Sequence, residues 1–409
     1  MVFILQKTVL DRINTEIKTK LGKNSISMQL KYLYIIHRLN YVSIFRKDEY
    51  LRGVNMSTSL LTELFGKGSE VKVILSMLEK FQFIMKIKAA KLNMNSASYK
   101  LHESISNERV LMHDLSASDS ALIHKLEEHN KDAKLFRKQL EMLNSYVSLN
   151  GLGEEYFIKK YGSDSHTENF AVERSDLALK TILDGKFFAV RPDIKSRVYT
   201  NLTSLPRVHR HFVSINSKPM MMTDISNSQI LLTVPLLHKY WAERSGSGLI
   251  NLPDDVYAFQ KLAETGKFYE AMSNYVGLTL NCAEERNNFK KKVFREIWFA
   301  RNNNRVTAIK KTFRYKFPTV FDIIWKIKEN KHNEFAIKLQ RFEASILVDS
   351  VWKEMSKLGK IVFTLHDAII CNNEEDLFLA ETLIESKLLK FGLVPKFKRE
   401  VEKVYQMAA

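Results

Sequence analysis

Two apolar runs, each stopping on a lone acid, constrain this chain more than anything else in it. The first is KPMMMTDISNSQILL, Lys218 to Leu232, where an apolar stretch meets Asp224 and then the polar turn Ile225-Ser226-Asn227-Ser228-Gln229. A short continuous apolar run closed by turn residues is the pattern of a buried strand. The second is Ile361 to Ile370, where two β-rich runs flank His366-Asp367-Ala368. That pattern predicts a tight hairpin with His366 and Asp367 at its tip. An ionised carboxylate at the buried end of a strand is costly unless it is paired or holds a cation. Asp224 equally suits a cap for the helix that Ile230-Leu231-Leu232 begins, a common task for Asp.

Two carboxylates delivered by separate strands are what a pair of divalent cations needs for in-line phosphoryl transfer, with metals roughly 3.5–4 Å apart on the attacking and leaving oxygens. Mg2+ takes one or two carboxylates and completes its shell with substrate phosphates. Asp224 and Asp367 are therefore the expected metal ligands, for two Mg2+ ions or for Mn2+ in their place. Between them lie Arg286, Lys290, Phe294 and Trp298, each four residues after the last. On a helix these positions form a slowly drifting stripe. Two cations followed by two aromatics suit a nucleoside triphosphate, phosphates at the basic end and base at the aromatic end. Lys291, Lys292 and Arg295 also permit an amphipathic helix with a basic, solvated face.

Taken in order, a strand ending in Asp, an R-x3-K-x3-F-x3-aromatic helix and a His-Asp hairpin resemble motifs A, B and C of the family A DNA polymerases. More distantly they resemble the single-subunit phage-type RNA polymerases. Ser196-Arg197-Val198-Tyr199-Thr200 with Leu205-Pro206 looks like the segment of that family that touches the primer–template. Phe317-Pro318 and the stretch Glu343 to Met355 also fall where the family has comparable pieces, and the resemblance covers residues 170–409. It implies an α+β right-hand polymerase of palm, fingers and thumb, extending primer–template DNA, or RNA, with dNTPs. Carried onto this chain, it gives Asp224 and Asp367 the metals and the catalysis. Arg286 and Lys290 would bind the triphosphate, with Lys290 also the general acid to pyrophosphate. Phe294 and Trp298 would pack on base and sugar, His366 would position the primer terminus, and Arg197 would contact the nucleic acid.

Two departures bear on the product. Ser226 and Gln229 stand two residues further apart than in the DNA polymerase pattern, closer to the RNA polymerases. Counting forward from Asp224 puts Gln229 at the place that screens the sugar, while aligning on the Gln itself puts Leu231 there. Ala368 replaces the Glu that follows His-Asp in the DNA polymerases, a Glu the RNA polymerases also lack.

With 409 residues the chain can bury a substantial core. Its 63 basic and 46 acidic residues leave a net charge of +17, which favours a polyanionic partner, nucleic acid foremost. No apolar run approaches the ~20 residues of a membrane span, and the apolar part of MVFILQKTVLDR is short for a signal peptide. Cys282 and Cys371 fit no metal spacing and read as free thiols, so a cytoplasmic setting is expected.

Residues 1–105 read as a winged-helix-like domain: a helix from Ser27, a second ending at Phe65-Gly66, a third from Ser69 to Lys80 with Ser69 as N-cap, then strands Phe83 to Lys88 and Ser98 to His102. Lys86, Lys88 and Lys91 would lie on its wing. Such a domain serves duplex binding or partner binding alike. Residues 106–169 read as a helical, thumb-like segment and 170–409 as palm and fingers. No stretch remains for an exonuclease, so synthesis without proofreading is expected. RNA synthesis of a primase-like kind, or a non-catalytic, replication-initiator-like DNA-binding protein on the same fold, are the alternatives. The oligomeric state is left open.

Overall fold

The computed structural model describes residues 2–17, 26–66, 68–89, 96–115, 121–131, 134–167, 170–245, 252–302 and 305–401. It is a mixed helix-and-strand protein whose contacts divide it into two units. The first comprises Met1–Leu135, Val147–Val190 and Thr200–Val213, and the second Phe136–Tyr146, Arg191–Tyr199 and Ser214–Ala409.

In the first unit apolar spacing and turn chemistry set the elements. Leu30, Leu33, Ile36 and Leu39 are buried along the helix Ile26–Phe45. Gly53 has φ +88°, and a Cβ there would lie 3.0 Å from the Ser98 hydroxyl oxygen, so the chain needs glycine where it turns into the strand Val54–Asn55. The Ser57 hydroxyl accepts from the Leu60 N–H and starts the helix Thr58–Phe65. The helix Gly68–Lys80 buries Val71, Ile74, Leu75 and Leu78; it begins one residue before Ser69, which therefore lies in its first turn and is not its N-cap. Ile84–Lys88 and Ser98–Leu101 pair antiparallel, and Val54–Asn55 joins the free side of Ser98–Leu101. Lys91 lies outside the described residues.

The strand Val2–Leu5 pairs antiparallel with Leu111–Asp114, and the core around Phe3 and Ile35 reaches Leu122 and Leu126. The core thus continues past residue 105. Further along the sequence, the helices Ala121–Lys131 and, in the second unit, Arg137–Tyr146 fall in the stretch read as helical, residues 106–169. Asp176, fully buried, gathers the Tyr156 and Tyr161 hydroxyls and the Lys160 ammonium at 2.9, 2.6 and 2.8 Å. Burial alone would raise its carboxyl; those hydrogen bonds outweigh burial and hold it below the usual range.

The second unit is built on a four-stranded antiparallel sheet in the order Phe363–Leu365, Ala368–Cys371, Met221–Ile225, Phe397–Val401. Met221–Ile225 is flanked on both sides, which suits its apolar composition. The Thr223 hydroxyl donates to Glu381 on the helix Glu374–Leu389, and that carboxylate also receives a bidentate bond from Arg399. Successive strand residues point to opposite faces, so Asp224 faces away from that helix. The helix Glu334–Ile346 passes into a wider π-turn, Leu347–Trp352, whose Trp352 indole N–H donates to the Val362 carbonyl at 2.9 Å. Phe259, Phe268, Phe313 and Trp298 form an aromatic core under the helices Asp254–Glu264 and Phe268–Tyr275. Among the described residues no helix is long and apolar enough to cross a membrane.

Candidate active site

Asp224 is the fourth residue of its strand, opposite Ala368 on one side and Lys398 on the other. Leu365 pairs with Ala368, so His366 and Asp367 form the two-residue turn of the expected hairpin. His366 holds φ +54°, a left-handed conformation that His adopts more readily than β-branched residues. The register puts Asp367 one residue from the partner of Asp224, bringing the two acids to the same end of the sheet.

Their surroundings differ. The Ser228 hydroxyl donates to Asp367 Oδ2 at 2.8 Å. Asp224 Oδ1 is buried with no hydrogen-bond partner. Burial, then the charge of Asp367, pushes the Asp224 carboxyl up to about 7, against the pull of Lys290. Asp224 does not cap the following helix: Asn227, with φ +55°, stands at the N-cap of Ser228–Leu231. An orphaned carboxylate oxygen beside a second carboxylate fits a divalent cation, which would relieve both burial and repulsion. Among the described residues no three His, Cys, Asp or Glu side chains converge as a metal cage. Two carboxylates suffice where water and substrate oxygens complete the shell.

Arg286 and Lys290 lie on the helix Ala283–Val293. Arg286 Nε donates to Glu270 Oε1 at 2.5 Å and Nη2 to Asn227 Oδ1 at 3.3 Å. The Tyr269 ring lies 5.2 Å from the Arg286 guanidinium and 5.8 Å from the Lys290 ammonium, within cation–π range. Tyr269 is fully buried with an unpartnered hydroxyl, and burial pushes its phenol well up.

The expected four-residue stripe breaks after Phe294. Phe294–Trp298 is π-helical, and the Phe299 N–H donates to the Phe294 carbonyl at 2.8 Å, five residues back. The extra residue per turn carries Trp298 inward. Trp298 is fully buried, its indole N–H on the Thr233 hydroxyl at 3.1 Å and its ring against Phe268 and Phe313. This corrects the expectation that Trp298 is presented to a base. Phe299, 41% exposed, stacks on the half-buried Phe294 with ring centroids 5.3 Å apart. Trp298→Ala should accordingly lower folding stability by about 3–5 kcal/mol, whereas a ligand-facing ring would cost little; urea unfolding measures the difference.

Arg197 is engaged by Glu343, Nε to Oε1 at 2.6 Å and Nη2 to Oε2 at 2.8 Å. Glu343 is 1% exposed, and burial pushes it up to about 7, with Arg197 opposing and the Asp367 charge adding to the rise. His366 is exposed, Gln229 half-buried, and Leu231 fully buried in the core, which leaves Gln229 of the two sugar-screening candidates. Ser228, Asn227, Tyr269, Glu270, Phe299 and Glu343 are the neighbours that sequence reasoning missed. Only Ser228 and Asn227 carried a signal, as part of the polar turn after Asp224.

No family model matches the chain, and no curated protein matches it. Among solved structures it is similar to the polymerase domain of Pol1 from M. smegmatis in complex with DNA primer–template and dNTP, with a TM-score of 0.34 and 11% identity over 96% of this chain and 71% of that one. At that distance function has to be read from the chain's own side chains.

Proposed function

We propose that the chain is a template-directed nucleotidyltransferase of the right-hand, family A type, adding dNTPs to a primer 3′ end without proofreading. One observation carries this reading: a sheet end that holds Asp224 and Asp367 together, with an unpaired Asp224 oxygen, in the field of Lys290. Asp224 and Asp367 would hold two Mg2+ or Mn2+ ions. Bound there, the metals would supply charge neutralisation at the phosphoryl group being transferred. Ser228 fixes the Asp367 carboxylate through its hydroxyl. Arg286 and Lys290 bind the triphosphate, and Lys290 gives a proton to the departing pyrophosphate. Phe294, with Phe299 stacked on it, packs on the incoming base; His366 on its exposed turn positions the primer terminus. Arg197, oriented by Glu343, contacts the primer–template. Extension of a labelled primer with dNTPs or rNTPs tests the activity.

RNA synthesis is the second reading, favoured by Ala368 and by the long Asp224–Gln229 spacing. The half-buried Gln229 carries the choice of sugar. Its side chain is larger than the small residue that the RNA polymerases of this fold present, so dNTPs should be preferred. Gln229→Gly should raise kcat/KM for ATP relative to dATP by about tenfold, the scale of one steric contact. Equal use of ATP and dATP by the wild type would favour RNA synthesis instead.

From residue 26 the first unit runs as two helices, a short strand, two more helices and a hairpin, and the last two helices with their hairpin support the winged-helix reading, in which it tethers duplex nucleic acid. Cutting the chain at Asn107 would strip Leu111–Asp114 of its partner strand, so charge is the better probe. Lys86 is paired with Glu79 at 3.0 Å, while Lys88 is exposed. Lys88→Glu should weaken duplex binding at moderate salt and flatten log K against log[salt] by about one unit. An unchanged slope would give the domain to a protein partner.

A further inference from the structure

Arg286 is assigned to the triphosphate, yet the edge it would use is already taken. Nε and Nη2, which donate to Glu270 and Asn227, are the pair with which a guanidinium grips a carboxylate or phosphate side-on. Arg197 offers the same edge to Glu343. The Glu270 carboxylate therefore occupies a position that a phosphate oxygen could fill. It is held there half-satisfied, since its Oε2 is buried with no hydrogen-bond partner. A buried carboxylate oxygen left unpaired costs free energy that a fully bonded one does not. The contact is also reachable, because the Arg286 and Glu270 side chains keep 34% and 40% of their exposure. Beneath it the buried Tyr269 ring faces both Arg286 and Lys290, and that contact does not depend on Glu270. The two cations thus stay supported if the carboxylate leaves.

Resting on the nucleotidyl-transfer reading, we infer that Glu270 is a displaceable stand-in for substrate phosphate. It latches Arg286 in the empty site, and the incoming triphosphate must displace it. The latch lowers nucleotide affinity, and on the same ground it weakens the hold of any other polyphosphate on the site.

Titration calorimetry of the full chain with tripolyphosphate, and steady-state incorporation of dATP with Mg2+, compare wild type with Glu270→Gln. Gln keeps the length and an acceptor oxygen but removes the charge. Tripolyphosphate should bind about fivefold more tightly to the variant, the scale of one partly exposed ion pair, and KM for dATP should fall by a similar factor. Glu270→Asp, with one methylene less of reach, should shift affinity in the same direction and serves if the Gln variant fails to fold. In an Arg286→Ala background, Glu270→Gln should change nothing. Unchanged or weaker tripolyphosphate binding in the Glu270 variants would overturn the latch and make Glu270 a support that orients Arg286. Failure of the nucleotidyl-transfer reading looks different: the wild type would incorporate no nucleotide, while the tripolyphosphate titration would still report on the latch.

Discussion

Asp367→Asn should lower nucleotide incorporation about a thousandfold or more while leaving DNA affinity within a fewfold of wild type. The two effects separate because they come from different parts of the chain's charge. Loss of a metal carboxylate removes several kcal/mol of transition-state stabilisation, and each 1.36 kcal/mol is a factor of ten. On the proposed reading, nucleic-acid affinity would come mainly from the chain's net charge of +17 and not from either carboxylate. Asn keeps an oxygen that can accept from the Ser228 hydroxyl, so the turn should survive the substitution. Asp224→Asn should be at least as damaging, since that side chain is the one with a buried, unpartnered oxygen. Primer extension and a binding isotherm on the same preparations measure both quantities. Wild-type incorporation by either variant would remove the acids from the chemistry.

Lys290→Ala should raise KM for the nucleotide and lower kcat together. Its ammonium lies within 6.0 Å of the Phe294 ring and 5.8 Å of the Tyr269 ring, and its charge draws the Asp224 carboxyl down. A hydrogen bond between charged groups is worth about 1.5–3 kcal/mol, or ten- to a hundredfold in kcat/KM. Loss of a general acid removes about 10²–10⁴ more from the chemical step. Lys290→Arg divides the two roles: a guanidinium still binds phosphate but does not give up its proton, so KM should recover while kcat stays low. Recovery of both would leave Lys290 a phosphate clamp only, and loss of DNA binding alone would make its helix a backbone-contact surface.

The sheet end was legible because buried strands and two-residue turns leave strong local marks. Asp224 and Asp367 each close an apolar run, and the hairpin around His366 follows from residues 361–370 alone. The α-helix of Arg286 and Lys290 was legible for the same reason. The π-turn was not. Spacing arguments assume a constant number of residues per turn, and one added residue left Trp298 buried and Phe299 exposed. Nor could spacing reveal Glu270 or Glu343, whose partners Arg286 and Arg197 lie 16 and 146 residues away. Ser69 shows the smaller error, a helix start displaced by one residue.

The most direct test of the account is a labelled primer annealed in turn to four templates that differ only in their first unpaired base, with all four dNTPs and Mg2+. The wild type should add, in each case, the nucleotide complementary to that base, and Asp224→Asn and Asp367→Asn should both abolish the addition. Absence of extension on every template, or extension that both substitutions leave intact, would contradict the assignment of this sheet end to nucleotidyl transfer.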